Sequence, residues 1–285
     1  MHNASIRADV ASQHSVEIRS GERFSFGENW KAFLRTVDES RVDESVAALK
    51  QLLCVTTLEG KRFIDIGSGS GLSSLAAHRL GADVTSFDYD PSSVGCTLEM
   101  RDRFAKGSER WRIMHGSALD AEFLSTLGTY DVVYSWGVLH HTGQMWNAIN
   151  NVIPLVRPGG QMSLALYNDQ GVWSQRWTRI KRVYCSGTAG KLAVSSVFIP
   201  YWIARGAVSD LIRGHAPWYS IATYGKNRGM SAWHDWHDWL GGYPFEAAKP
   251  EAIILPIQQK GFTLTNLNTQ YGSVGCVEYV FRRTS

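Results

Sequence analysis

Seven consecutive residues, Asp65-Ile66-Gly67-Ser68-Gly69-Ser70-Gly71, carry the sharpest chemical signal in this chain. Glycines at alternate positions let a backbone turn tightly and let a ligand approach where a Cβ would collide. A second acid, Asp88, lies 23 positions beyond Asp65. A carboxylate there can accept hydrogen bonds from both hydroxyls of a ribose. Farther on, His140-His141 sets two imidazoles side by side, and imidazole is the side chain best poised to exchange a proton near neutral pH. Tyr167-Asn168-Asp169-Gln170 is a third polar group. Asn168 and Asp169 either bind a substrate or cap a following helix, and both readings stay open. His234 and His237 have the spacing of a metal-binding helix face, but no third ligand accompanies them, so no metal is expected.

The elements that must position these groups alternate regularly. Apolar runs at Arg62–Ile66, Asp83–Phe87, Trp111–His115, Asp131–Ser135 and Gln161–Tyr167 predict five strands. Helices are predicted over Leu72–Arg79, Ser92–Phe104, Leu119–Leu127 and Met145–Val156. Strands separated by single helices mean parallel βαβ units in a doubly wound sheet. After residue 167 the rhythm breaks into a Trp-rich, helix-like stretch over 168–248. It returns with a helix at Pro250–Lys260 and two strands, Gly261–Asn268 and Cys276–Arg282. A short turn joins these strands, so they are expected to pair antiparallel at one end of the sheet. The fold class is therefore α/β: a Rossmann-like, seven-stranded doubly wound sheet with a helical insertion between strand five and the following helix. The expected organisation is an N-terminal helical arm or cap over 1–55, with 1–27 loose; a nucleoside-binding core over 56–167; a lid over 168–248; and the end of the core sheet over 249–285.

Two features decide which nucleoside the crevice takes. The position where a G-x-G-x-x-G pattern needs its third glycine holds Leu72. Asp65 also lies inside the strand, where a dinucleotide has no special need of a carboxylate but the buried ammonium of S-adenosylmethionine (SAM) does. The ordered segments FIDIGSGSGLSSLAA, SFDYDPSS, HGSALD, YDVVYSWGVLHHTGQMWNAI and VRPGGQMSLALYN resemble the motif set of class I SAM-dependent methyltransferases. The closest resemblance is to the bacterial small-molecule branch of ubiquinone-biosynthesis and type 11/12 enzymes, over roughly residues 60–168. The resemblance implies that Asp65, Gly67, Ser68, Gly69 and Gly71 line the methionine and ribose. It implies that Asp88 holds the ribose and Tyr89 packs on the adenine. Ser117 and Ala118 fall beside the adenine amine, although Ser117 departs from the Asp common there. Ser135 and Trp136 fall beside the sulfur. It further implies S-adenosylhomocysteine as product and a methyltransferase activity on a small molecule. His141 matches a histidine beside the acceptor, with His140 as second candidate.

Methyl transfer from a sulfonium is an in-line displacement in which the cation loses its charge, so most of the catalytic work is alignment in a dry site. A hydroxyl acceptor also gives up a proton, which assigns His141 as base or orienter. Tyr167, Asn168, Asp169 and Trp233 are expected to line the acceptor. The insertion interleaves seven Trp residues with Arg and Lys. That mixture suits a solvated face, an acidic acceptor or peripheral contact with an anionic lipid surface. Phe26 and Trp30 are expected to fold over the cofactor.

Bulk properties bound the rest. The chain has 285 residues, 44% hydrophobic and 19% charged, with net charge +3. That is ordinary for a globular protein and too weakly basic to indicate nucleic acid. No Asn-Pro-Pro-aromatic motif follows the fourth strand, as it would in base-amine methylases. Four scattered cysteines without a C-x-x-C pair suit a reducing cytoplasm. No apolar leader precedes the core, and the greasiest run, Leu192–Ala204, reads as too short to span a bilayer. Two alternatives remain: methylation of nitrogen or carbon on a natural product, glycan, lipid or quinone, and a nicotinamide-dependent Rossmann oxidoreductase.

Overall fold

The structure, a computed structural model, describes residues 12–228, 232–269 and 275–284. A first helix, α1, covers 12–19, so this part of the N-terminal segment is helical where the sequence predicts a loose arm. Next come α2 (Gly27–Leu34) and α3 (Glu39–Leu53). Asp38 caps α3 by accepting the Arg41 amide at 3.0 Å. The core then runs β1 (Arg62–Ile66), α4 (Leu72–Arg79), β2 (Asp83–Asp88), α5 (Pro91–Phe104), β3 (Trp111–His115), α6 (Ala121–Ser125), β4 (Tyr130–Trp136), α7 (Met145–Val152) and β5 (Val156–Tyr167). The insertion holds α8 (Val172–Cys185), α9 (Thr188–Ile212), α10 (Tyr219–Arg228) and α11 (Ala232–Gly241). The chain closes with α12 (Pro250–Gln259), β6 (Phe262–Asn268) and β7 (Cys276–Arg283).

The seven strands lie in the order β3-β2-β1-β4-β5-β7-β6. All neighbours are parallel except β7, which runs antiparallel to both β5 and β6, as the short connection between the last two strands requires. Between β1 and β4 the chain reverses its direction of winding. Such a switch point opens a crevice at the carboxyl ends of the strands. Parallel strands covered on both faces need apolar residues throughout, and β1 is buried from Phe63 to Ile66. Ile64 and Ile66 join the core under α7 and α12, whereas Phe63 joins the core under α3, α4 and α5. Strand alternation then puts Asp65 on the Phe63 face.

The insertion builds a small core of its own from Tyr184, Val194, Ile199 and Leu240, with Trp177, Trp202, Trp236 and Phe24 packed against it. Helix α9 is 25 residues long, with Pro200 inside it. By length and composition it can cross a membrane. The helix extends past the apolar run Leu192–Ala204 at both ends.

Candidate functional site

The glycine turn forms as its sequence demands. Gly67, Gly69 and Gly71 all take left-handed backbone angles, with φ of +78°, +53° and +81°. A Cβ on Gly67 would lie 2.3 Å from Val138, and one on Gly69 would lie 3.0 Å from the Trp30 ring. The turn is tied to the end of β2: Gly67 N–H and Ser68 N–H donate to the Phe87 carbonyl at 2.8 and 3.1 Å. Asp88 completes the tie, accepting from Gly69 N–H through Oδ2 and from Asp90 N–H through Oδ1, both at 2.9 Å. Burial raises its carboxyl to about 6.

Asp65 lies on the sheet face under α4, at the end of a chain of hydrogen bonds. Trp111 Nε1–H donates to Ser86 Oγ at 2.8 Å, Ser86 and Ser74 hydroxyls meet at 2.7 Å, and Ser74 donates to Asp65 Oδ2 at 2.5 Å. An indole N–H can only donate and the carboxylate end accepts. Each hydroxyl therefore points one way, from Trp111 through Ser86 and Ser74 to Asp65. Burial raises Asp65 to about 7 despite the Ser74 bonds. Among the described residues neither Asp65 nor Asp88 has a Lys or Arg within ion-pair distance. A turn that no Cβ could enter, beside two buried carboxylates without a cation, fits a positively charged nucleoside with a ribose diol. SAM is such a ligand.

A strap from the N-terminal segment crosses this crevice. Glu17 on α1 accepts from the Tyr89 hydroxyl at 3.1 Å and from Arg23 Nε at 2.6 Å. The Arg23 guanidinium lies 4.9 Å over the Tyr89 ring and donates through Nη1 to the His141 carbonyl at 2.9 Å. Gly27 N–H, at the start of α2, donates to Asp90 at 2.9 Å. Phe26 lies 5.0 Å from the His141 ring, and Trp30 lies over the turn at Gly69.

The histidine pair occupies a short 3₁₀ turn, Leu139–His141, after β4. The return segment from the lid clamps it. His141 Nδ1 lies 2.7 Å from the Pro244 carbonyl, Glu246 N–H donates to the His140 carbonyl at 3.0 Å, and Glu246 Oε2 accepts from Met145 N–H at 2.8 Å. Since a carbonyl can only accept, the proton of neutral His141 is on Nδ1, and Nε2 keeps its lone pair. Burial lowers His141 to about 3, with Lys181 and Arg23 pushing the same way. His140 is fully buried, with neither ring nitrogen hydrogen-bonded, and burial holds it well below its ordinary value. The Tyr167 ring lies 4.1 Å from His140 and 5.5 Å from His141. Tyr167, Asn168, Trp177, Lys181 and Phe245 line a cavity of about 30 Å³ next to them. Burial lowers Lys181 to about 8, and its ammonium donates to the Trp239 carbonyl.

The structure thus gathers Gly67, Ser68, Gly69, Gly71, Asp88 and Tyr89 at one end of the crevice and His140, His141, Tyr167 and Asn168 at the other. The other expected site residues make contacts of their own. Ser135 donates to the Ile66 carbonyl at 3.0 Å. Trp136 reaches along its row of the sheet to Glu278 on β7, at 2.7 Å. Ser117 accepts the Leu119 amide at 3.1 Å, and the Ala118 carbonyl accepts from Asn151. Asp169 accepts the Gly171 amide at 2.9 Å, capping the turn into α8. Trp233 is exposed and lines a separate groove of about 590 Å³ with Phe24, Asn29, Lys191, Leu192 and His237. Of the His234–His237 pair, the His234 side chain lies outside the described residues. Sequence reasoning missed Glu17, Arg23, Lys181 and Glu246. Nothing local distinguishes an Arg that meets a carbonyl 118 positions away.

The fold and site together define a Rossmann-like domain whose switch-point crevice suits a nucleoside. Residues 64–162 match a family model described as a methyltransferase domain (Methyltransf_12). The mitochondrial ubiquinone biosynthesis O-methyltransferase of Schizosaccharomyces pombe is 26% identical over 159 residues, 53% of this chain and 56% of the relative. The ubiquinone biosynthesis O-methyltransferase of Rhizobium rhizogenes is 34% identical over 112 residues, 39% of this chain and 43% of the relative. The chain thus spans about half the length of the curated relatives it matches. In fold it is similar to the magnesium protoporphyrin IX methyltransferase of Synechocystis PCC 6803, solved with bound S-adenosylhomocysteine. That likeness has a TM-score of 0.53 at 13% identity, covering 90% of this chain and 94% of the other. Over residues 64–162 the chain is thus similar to a methyltransferase domain, on a fold similar to that of a solved methyltransferase.

Proposed function

We propose that this protein transfers the methyl group of SAM to a small-molecule acceptor, that a hydroxyl oxygen is the nucleophile, and that His141 is its base or orienter. The observation that carries this reading is the Pro244–His141 hydrogen bond, which leaves Nε2 as an acceptor. The cofactor supplies an electrophilic methyl on a sulfonium, which leaves as a neutral thioether. The chain's own residues do the rest. The Gly67–Gly71 turn and Asp88 hold the nucleoside, the strap excludes water, and Tyr167 and Asn168 shape the acceptor end. His141 Nε2 accepts the acceptor's O–H and aligns its oxygen. Burial keeps the imidazole neutral, the form able to accept. Four free thiols among the described residues suit the cytoplasm.

Transfer to nitrogen or carbon would use the same crevice and would likewise release a proton from the acceptor. His141→Ala should lower kcat by roughly 100-fold or more while leaving SAM affinity, read by calorimetry, within about threefold. Full activity in that variant would reject the histidine role. Tight binding of NADH in place of SAM would reject methyl transfer altogether.

A further inference from the structure

The outer face of α9 carries an apolar stripe that nothing among the described residues covers. Val197, Tyr201, Val208, Leu211 and Ile212 recur at helical spacing, and each is more than half exposed. The inner face is occupied: Val194 and Ile199 pack with Tyr184 and Leu240, and Trp177 and Trp202 close over them. Charge is distributed just as unevenly. Residues 172–228 hold nine of the 29 Lys and Arg but, in Asp210, one of the 26 Asp and Glu. This is a local net of +8 in a chain of net +3, so the remainder carries −5. Arg205 is exposed on α9, and Arg213 is exposed just past its end. At the start of α8, the exposed Trp173 ring carries the Arg176 guanidinium at 4.8 Å. Trp218 is exposed just beyond the end of α9.

We infer that this face of the lid docks on an anionic lipid surface, with α9 lying in the plane of the interface. An apolar stripe flanked by Arg and Lys, with aromatics at its margins, gains from acyl chains and acidic headgroups together. The charge selects this occupant over a second copy of the chain, since pairing two lids would bring +8 against +8. It also selects lying over spanning, because the inner face of α9 is part of the lid's core. The groove lined by Lys191 and Leu192 of α9 then opens from the element that meets the lipid. The inference does not depend on methyl transfer.

Flotation of the full chain with vesicles tests it. Vesicles of phosphatidylcholine containing phosphatidylglycerol should carry the protein, phosphatidylcholine alone should not, and high salt should release it. V208E/I212E and R205E/R213E should each weaken partitioning by roughly tenfold or more, with SAM affinity unchanged. SAM binding is measured on the same preparations, so failure at the nucleoside site and failure at the lid are read separately. No flotation with anionic vesicles overturns the inference. So does binding that resists alkaline carbonate extraction, which would mean a spanning helix. A dimer in light scattering that V208E/I212E splits, without vesicle binding, would assign the face to a second copy. Should a variant unfold, the wild-type dependence on lipid charge and salt still decides.

Discussion

At Asp65 and Asp88, burial and ligand chemistry act in opposite directions. Desolvation raises Asp65 to about 7 and Asp88 to about 6, above the ordinary carboxyl range near 4. Between those values the ligand-free native chain holds protons that the unfolded chain has released. Its stability from this source is therefore full below about pH 4 and falls as pH rises toward 7. A cationic nucleoside reverses the sense, since it binds the ionised carboxylates. SAM affinity should rise from pH 5 to about 7 and then level off, as calorimetry across that range will read; a flat profile would refute the pairing. The serine relay makes a second prediction. Ser74→Ala leaves Asp65 and Ser86 without their shared partner and should cost about 1–3 kcal/mol in urea unfolding. The glycine turn and Asp88 were legible in sequence because spacing alone places them at the ends of β1 and β2. The direction of Asp65 was not read, although alternation from Phe63 contains it. Asp169 could not be decided without seeing whether its carboxylate faced a ligand or the Gly171 amide.

Elements divide the same way. Predicted β1, α4 and β3 coincide with the structure residue for residue, and the antiparallel pairing of β6 with β7 follows from their short connection. β5 starts five residues earlier than predicted, at Val156, because Val156 pairs with Tyr130 before the Arg157-Pro158-Gly159-Gly160 stretch, with Gly159 at φ +72°, bulges out and pairing resumes at Gln161. The strap was illegible, since its partners come from α1, the end of β2 and the turn after β4. Arg23 ties two of these, and Arg23→Met removes a charged hydrogen bond to Glu17 and another to the His141 carbonyl. The KM for SAM should rise by roughly tenfold with kcat changed far less. An equal loss in both would show that the strap shapes the reacting centre and does not merely cover it.

On the scale of the molecule, the part shared with relatives and the helical insertion are different stretches of chain. The family match covers 64–162, whereas the lid, with its own small core, lies beyond it. A reading from motifs therefore reaches the cofactor and stops at the acceptor. What joins the two halves is α2, only eight residues long. Trp30 sits on the cofactor turn at Gly69, and one residue earlier Asn29 donates to Asp238 of α11. Seating the nucleoside must fix α2, and fixing α2 sets the wall of the groove beside Trp233. Nucleoside crevice and lid groove are thereby coupled through one helix. Asn29→Ala should uncouple them: SAM should slow amide exchange in α11 of the wild type but not of the variant.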